Sequence, residues 1–290
     1  LFWTGCEDLD FPDPNNPTND TATLQSLVTG AEAQLRSGFG VYIRDLLVIG
    51  REAYYLEPAD PRYTGELLRG PIDPGGFLCY TPWAANYKVI SNCQIILNSA
   101  DLDAGAKGFA QTVQAYCLMR ILNLTDVNGA RINYDGDINA AVATKTEVLT
   151  EVERLLDAGY ASLSSAGSSF SFSLSSGFDG FNTPATFAHF NRGLMARAAV
   201  RQDDWTTAQT ALTACAEWMN SADHDMGVYH AFSSGANDGD NQMYEAPDAA
   251  TLKLMVHPTF LTEAHEGDAR VTNNVLVRSD TIKYDGLESY

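Results

Sequence analysis

The chain has 290 residues, of which 45% are hydrophobic, and carries a net charge of -19 from 18 basic and 37 acidic residues. This length suits one large domain or two small ones, and the apolar content excludes wholesale disorder. The acidic balance argues against nucleic-acid binding, because neutralising phosphates needs a basic surface. No run of about 18 apolar residues occurs, so the sequence predicts no membrane-spanning helix.

The first residues predict a lipid anchor. Cys6 follows a short apolar run and two small residues, and the acids Glu7-Asp8 come directly after it. This pattern is typical of the end of a bacterial lipoprotein signal, where the cysteine becomes the lipidated first residue. We therefore interpret 1–6 as a signal remnant with the lipidation cysteine, and 7–22, rich in Asp, Asn, Pro and Thr, as a tether. The alternatives are a free cysteine near a frayed terminus and a coil docked on the domain.

Apolar residues at helical spacing predict a series of amphipathic helices in the rest of the chain. The first begins after a cap at Thr21 or Thr23 and is followed by a glycine at 38. Stretches rich in Pro, Gly, Asp or Ser separate the helices and indicate irregular loops. The further predicted helices cover 41–55, 83–100, 104–123, 145–163, 184–201 and 205–220, and the predicted loops cover 56–82, 125–138, 164–182 and the residues after 221.

Two pairs of these helices are predicted to form αα-hairpins. A tight turn at Asp203-Asp204 joins 184–201 to 205–220, and the pair 83–100 and 104–123 repeats the arrangement. Tetratricopeptide (TPR) units stack such hairpins, although their strict consensus of about 34 residues is absent here. We therefore predict a mainly α fold of TPR-like helical hairpins, with long irregular loops and few short strands.

Three of the five cysteines are predicted to be core residues, and a disulfide such as Cys79 with Cys93 is an alternative that the sequence leaves open. The chain has five, which are widely spaced and include no CxxC pair, so a zinc site is not expected. Cys93, Cys117 and Cys215 lie within apolar helical patterns, where cysteine packs as a small hydrophobic residue.

Several segments, in order along the chain, carry the pattern of a known family: Glu7-Asp8, Trp83 through Leu97, Gln114-Ala115-Tyr116-Cys117-Leu118, Val152 through Leu163, Asn191 through Ala198 with Asp204-Trp205 and Ala208, Val256-His257-Pro258, and Gly267-Asp268-Ala269-Arg270. Together they resemble the SusD/RagB-like nutrient-binding lipoproteins of Bacteroidota and relatives. Gln114 departs from this pattern, since an arginine is usual there, and the family continues beyond the point corresponding to Tyr290. We therefore expect 23–290 to form a single SusD-like helical domain that lacks a C-terminal portion.

The resemblance implies a function and a location. Such a protein would be lipid-anchored in the outer membrane and displayed at the cell surface. There it would bind an oligosaccharide or another nutrient and pass it to a SusC-like TonB-dependent transporter, over which it would sit as a lid. The implied mechanism is binding and hand-off without bond chemistry, so no enzymatic activity and no catalytic residue are predicted.

Aromatic side chains give the candidate ligand site. Sugars stack on flat apolar rings while their hydroxyls bind amides and acids nearby. The resemblance makes Tyr80, Trp83 and Asn86 the first candidates, and Tyr54 and Tyr244 lie in segments of the same character. The alternative for Trp83 is that it packs in the core as part of a helix.

Two acidic loops are weak candidates for calcium. Asp135 and Asp137 lie in one and Asp238 and Asp240 in the other, and clustered oxygen ligands suit this ion. Neither loop completes an EF-hand, so the alternative is a plain turn rich in Asp and Asn. No other cofactor is predicted.

Two other functions are compatible with the sequence. A helical-repeat protein can serve as a scaffold or assembly protein without binding glycans. A surface glycosidase needs two carboxylates across a cleft, and an acidic chain offers many pairs. No GxSxG, HExxH or Gly-rich phosphate motif is present to support an enzyme.

Overall fold

The structure, a computed structural model, describes residues 22–137, 139–223, 225–235, 238–246, 248–251 and 253–289. Cys6 and tether residues 7–21 lie outside the described residues, so lipidation and the tether stay predictions. In the part of the chain that the structure describes, every helix is too short or too polar to traverse a bilayer.

The protein is mainly α-helical with a few short strands, which confirms the predicted fold class. Strand β1 pairs antiparallel with β2, and β3 pairs antiparallel with β4. The helices are α1 Leu24–Arg36, α2 Phe39–Ile49, α3 Arg62–Arg69, α4 Phe77–Leu97, α5 Ala104–Thr125, α6 Lys145–Ser165, α7 Pro184–Val200, α8 Trp205–Ala214, α9 Ala216–Met219, α10 Pro258–Thr262 and α11 Ala269–Asn274, and the strands are β1 Ala53–Tyr55, β2 Leu254–Val256, β3 Ile282–Tyr284 and β4 Leu287–Ser289.

Consecutive helices pack against each other, as the hairpin prediction requires. Helix α4 packs on α5 and α7 on α8, while α5–α6, α6–α7 and α1–α4 contacts join the hairpins into one stack. Side-chain caps fix several helix starts, because they accept hydrogen bonds from N–H groups that have no partner within the helix. Thr23 caps α1, Thr144 caps α6 through a capping box with Glu147, and Asp204 caps α8 directly after the predicted turn.

Helix α5 lies at the centre of the core. Phe109 is fully buried on it, and its ring centroid is 5.6 Å from that of Phe172 and 5.7 Å from that of Phe187. Burying a side chain of this size contributes roughly 1.5–3 kcal/mol. Cys93, Cys117 and Cys215 are free and fully buried, which confirms their predicted role as small core residues.

Glycines allow α5 and α6 to approach closely. A Cβ atom added at Gly108 would lie 2.5 Å from Leu163 Cγ and 3.0 Å from the carbonyl oxygen of Gly159. At Gly159 a Cβ atom would lie 3.0 Å from Thr112 Oγ1. Backbone contact at this crossing therefore requires residues without a side chain.

Buried polar contacts join α5, α6 and α7 beside this crossing. The Asn191 side-chain amide donates hydrogen bonds to Thr112 Oγ1 (2.8 Å) and to the Leu156 carbonyl (3.1 Å). Arg192 donates to the same carbonyl (2.7 Å) and pairs with Asp157 (2.9 Å). The Asn-Arg pair of the family-like segment thus fixes how three helices pack.

Four features differ from the sequence prediction. Helix α4 begins at Phe77 rather than 83, and α3 lies within the stretch predicted as loop 56–82. Proline and glycine are frequent in that stretch and favour a loop prediction, yet α4 accommodates Pro82 as its sixth residue at the cost of the backbone hydrogen bond to the Leu78 carbonyl. The predicted helix 41–55 ends at Ile49, because residues 53–55 pair with β2. The predicted helix 205–220 breaks at Cys215, where φ is -116° and ψ is 25°.

Candidate functional site

A groove with a volume of about 560 Å³ opens between α2, α3, α4 and the C-terminal end of α5. Helix α2 contributes Asp45, the first turns of α4 contribute Tyr80 and Trp83, and α5 contributes Asn123 and Thr125. Ligand sites for small molecules commonly have volumes of about 300–1,000 Å³, so the groove is of suitable size.

Two aromatic side chains form one side of the groove. Tyr80 is 61% exposed, so its ring is free to contact a ligand. Trp83 is half-buried against the core, and its ring centroid is 4.6 Å from that of Tyr87. The Tyr87 hydroxyl is fixed in turn, because it donates to the Arg131 carbonyl (3.0 Å) and accepts from the Arg131 N–H (2.7 Å). Trp83 therefore both packs in the core and lines the groove.

Asp45 gives the groove a buried carboxyl. The residue is only 2% exposed, and its Oδ1 atom has no hydrogen-bond partner among the described residues. Burial raises the pKa of this carboxyl to about 7, although the charge of Arg44 acts in the opposite direction. An unpaired buried acceptor is unfavourable, so a ligand that donates to it gains that interaction.

The polar end of the groove is held by the protein itself. The Asn123 side-chain amide donates to the Tyr42 hydroxyl (2.6 Å), and its oxygen accepts from Arg201. The Thr125 hydroxyl donates to the Ile121 carbonyl (3.0 Å). These contacts fix the end of α5 at the groove.

The predicted ligand residues are only partly together. Tyr80 and Trp83 share the groove, three residues apart on α4. Asn86 is 1% exposed and donates to the Pro82 carbonyl within the same helix (2.7 Å), outside the groove. Tyr54 lies on β1 with its ring centroid 4.6 Å from that of His257, and Tyr244 is 72% exposed in a separate loop. A role in ligand binding stays a prediction for all of them.

Asp45 is not among the residues predicted from the sequence, although the sequence carries a signal for it. Val41, Asp45 and Val48 recur at i, i+4 and i+7, and all of them lie on the buried face of α2. A carboxylate on an apolar helix face is rare without a partner, which makes it a candidate functional residue.

The acidic loops form turns. Asp135 accepts a hydrogen bond from the N–H of Asp137 (2.8 Å). Asp238 pairs with Arg36 (2.5 Å), and Asp240 lies beside it at a shallow pocket. Among the residues that the structure describes, no group of at least three His, Cys, Asp or Glu side chains is placed to hold a metal ion. Calcium binding in these loops stays a prediction.

A smaller cavity of about 190 Å³ lies between α1, α5 and α7. The Glu32 carboxylate accepts hydrogen bonds there from the Ser175 N–H (3.1 Å) and hydroxyl (3.0 Å), and burial raises its pKa. The Tyr116 hydroxyl lies 3.2 Å from His230 Nε2, and burial lowers the pKa of His230 to about 4. These polar groups already have protein partners, which distinguishes this cavity from the groove that contains Asp45.

Comparisons with known proteins give structural similarity only. No protein-family model and no curated protein matches the chain. A solved structure described as a SusD/RagB family protein from Bacteroides thetaiotaomicron VPI-5482 shares 17% identity with a TM-score of 0.49, over 66% of this chain and 41% of its own. A SusD superfamily protein from Bacteroides vulgatus ATCC 8482 shares 18% identity with a TM-score of 0.42, over 71% of this chain and 43% of its own. The chain thus spans less than half the length of either structure.

Proposed function

We propose that the protein binds an oligosaccharide or a related nutrient in the groove between α2, α3, α4 and α5. The observation that carries this proposal is the exposed ring of Tyr80 beside Trp83, next to the unpaired carboxyl of Asp45. Aromatic rings offer an apolar face to the C–H groups of a sugar, while a carboxyl accepts hydrogen bonds from its polar groups. The mechanism is reversible binding without bond chemistry.

The proposal extends to the cell surface. Cys6 anchors the protein in the outer membrane by its lipid, and the bound nutrient passes to a SusC-like TonB-dependent transporter. The lipoprotein-like pattern around Cys6 and the family resemblance of the sequence support this part. We expect the Cys6→Ala variant to lose incorporation of labelled palmitate. We also expect a TonB-dependent barrel to copurify with the protein from outer membranes.

Calorimetric titration with a panel of tetrasaccharides tests the binding function. We expect Tyr80→Ala and Trp83→Ala each to weaken binding about tenfold, because stacking of one ring contributes about 1–1.5 kcal/mol. Trp205→Ala is the matched control, since Trp205 is 63% exposed on α8 and does not line the groove. If both groove variants keep their affinity for the glycan while Tyr54→Ala or Tyr244→Ala loses it, the binding site lies outside the groove. If no glycan binds, the function itself is wrong.

A further inference from the structure

We infer that Asp45 makes the groove selective for ligands that carry a cationic amine, such as an amino sugar, by pairing its carboxylate with that amine. The inference rests on the proposed function, because it concerns the same groove. It adds the chemical class of the ligand and the residue that selects it.

The carboxyl group of Asp45 is unpaired in the described part of the chain. The side chain is almost fully buried and lines the groove, yet no hydrogen bond or ion pair to its carboxyl exists in the described part of the chain. Buried polar atoms in folded proteins nearly always have a partner, and an unpaired carboxylate is especially unfavourable. The groove is the open side from which a donor can reach this carboxyl.

Arg44, the cation adjacent to Asp45, contacts aromatic side chains instead of Asp45. The Arg44 guanidinium lies 4.8 Å from the ring centroid of Tyr55 and 5.5 Å from that of Tyr63. It also donates a hydrogen bond to the Tyr55 hydroxyl (3.0 Å). Arg44 therefore interacts with the aromatic pair and forms no ion pair with Asp45, so the carboxylate remains available to a ligand cation.

The groove has an acidic lining without basic side chains. Among the described residues that line it, Asp45 is the one Asp or Glu, and no Lys, Arg or His is present. Burial raises the pKa of the Cys79 thiol in the groove, and the negative charges of Asp45, Glu66 and Asp73 raise it further. A cationic ligand is attracted by this field, whereas an anionic one is repelled.

The groove combines a carboxyl group with the faces of aromatic rings. Tyr80 and Trp83 line the same groove as Asp45. Aromatic rings attract an ammonium group through the negative charge of their faces, and desolvation strengthens this attraction. A sugar ring that carries an amine therefore uses both parts of the groove, whereas a neutral sugar uses only the rings and hydrogen bonds.

The test compares three tetrasaccharides, β-1,4-linked glucosamine, its fully N-acetylated form and maltotetraose, in calorimetric titrations at pH 7. Asp45 is partly ionised at this pH, and an amine beside it favours the ionised form. We expect the glucosamine oligomer to bind about tenfold to a hundredfold more tightly than the N-acetylated one, because a charge-assisted pair is lost on acetylation. Asp45→Asn, which keeps the shape of the side chain, should abolish this preference. Asp101→Asn, which is exposed and lies outside the groove lining, should retain it.

The outcomes separate this inference from the proposed function. Equal affinity of the wild-type protein for the amine and the N-acetylated oligomer, or a preference that survives in Asp45→Asn, overturns the inference while glycan binding stands. Absence of binding to all three overturns the function as well. Far-ultraviolet circular dichroism of Asp45→Asn confirms that the compared proteins are folded.

Discussion

Replacing Asp45 with asparagine should stabilise the folded protein at neutral and alkaline pH. Burial raises the pKa of this carboxyl from 3.8 to about 7, so the folded state disfavours its ionised form. Between these values the unfolded chain releases a proton that the folded chain retains. The contribution of Asp45 to the stability of the wild-type protein therefore falls as the pH rises from about 4 to 7, and its full penalty is present above pH 7.

The magnitude follows from the same pKa values. The penalty is about 4 kcal/mol at pH 8 and about 2 kcal/mol at pH 5. Asparagine removes this penalty but leaves a buried amide that also lacks partners, at a cost of about 2 kcal/mol. The expected net gain for Asp45→Asn is therefore about 2 kcal/mol at pH 8 and close to zero at pH 5.

Urea unfolding followed by circular dichroism measures this difference. Wild-type protein and Asp45→Asn are compared at the same pH, so that groups other than Asp45 contribute to both curves. Arg44, Tyr63 and Cys79 interact electrostatically with Asp45, and their contribution changes only through that interaction. Asp73→Asn serves as the exposed control, with little change expected at either pH. A variant that is less stable than wild type by the same amount at both pH values would refute the reasoning.

Two further predictions concern packing and acid stability. Gly108→Ala should destabilise the fold by about 1–3 kcal/mol in urea unfolding, because the added Cβ would lie 2.5 Å from Leu163 Cγ. Gly65→Ala, with no atom within 4 Å of the added Cβ, should instead be neutral or stabilising by up to about 1 kcal/mol; equal effects of the two would contradict the proposed close approach. Burial lowers the pKa of His230 from 6.5 to about 4, so the contribution of this residue to stability should fall by about 3 kcal/mol as the pH drops from 7 to 4, opposite in sign to the contribution of Asp45. An NMR titration that gives His230 a pKa near 6.5 would exclude this contribution.

The main helices were predictable because their apolar faces recur with helical period. The pairs α4–α5 and α7–α8 followed from that period and from the capped turn at Asp204. The pairing of β1 with β2 was not predictable from the sequence, because it joins segments about 200 residues apart. Helix α3 was hidden by its Pro- and Gly-rich surroundings, where composition favours a loop although its residues Tyr63 and Leu67 are buried.

The candidate site was predictable only in part. Tyr80 and Trp83 were found as aromatic residues of a family-like segment, and the structure places both in the groove. Asn86 belongs to the same segment but points to the buried face of α4, with Pro82 and Val89. That distinction depends on which face the helix buries. Tyr80 and Trp83 are three residues apart and share a face, whereas Asn86 is six residues beyond Tyr80 and has turned toward the core. Asp45 lies on a different helix, which only the tertiary structure brings to α4.

The described residues that line the groove all fall between Asp45 and Asn128. Loop 164–182, the α7–α8 hairpin and the segments after 221 contribute none of them. Mutations in these later regions can therefore alter surfaces for other contacts while the ligand preference stays the same. Substitutions confined to the stretch from Asp45 to Asn128 are therefore sufficient to change the ligand preference. Substitutions in the later regions can change other contacts and leave that preference unaltered.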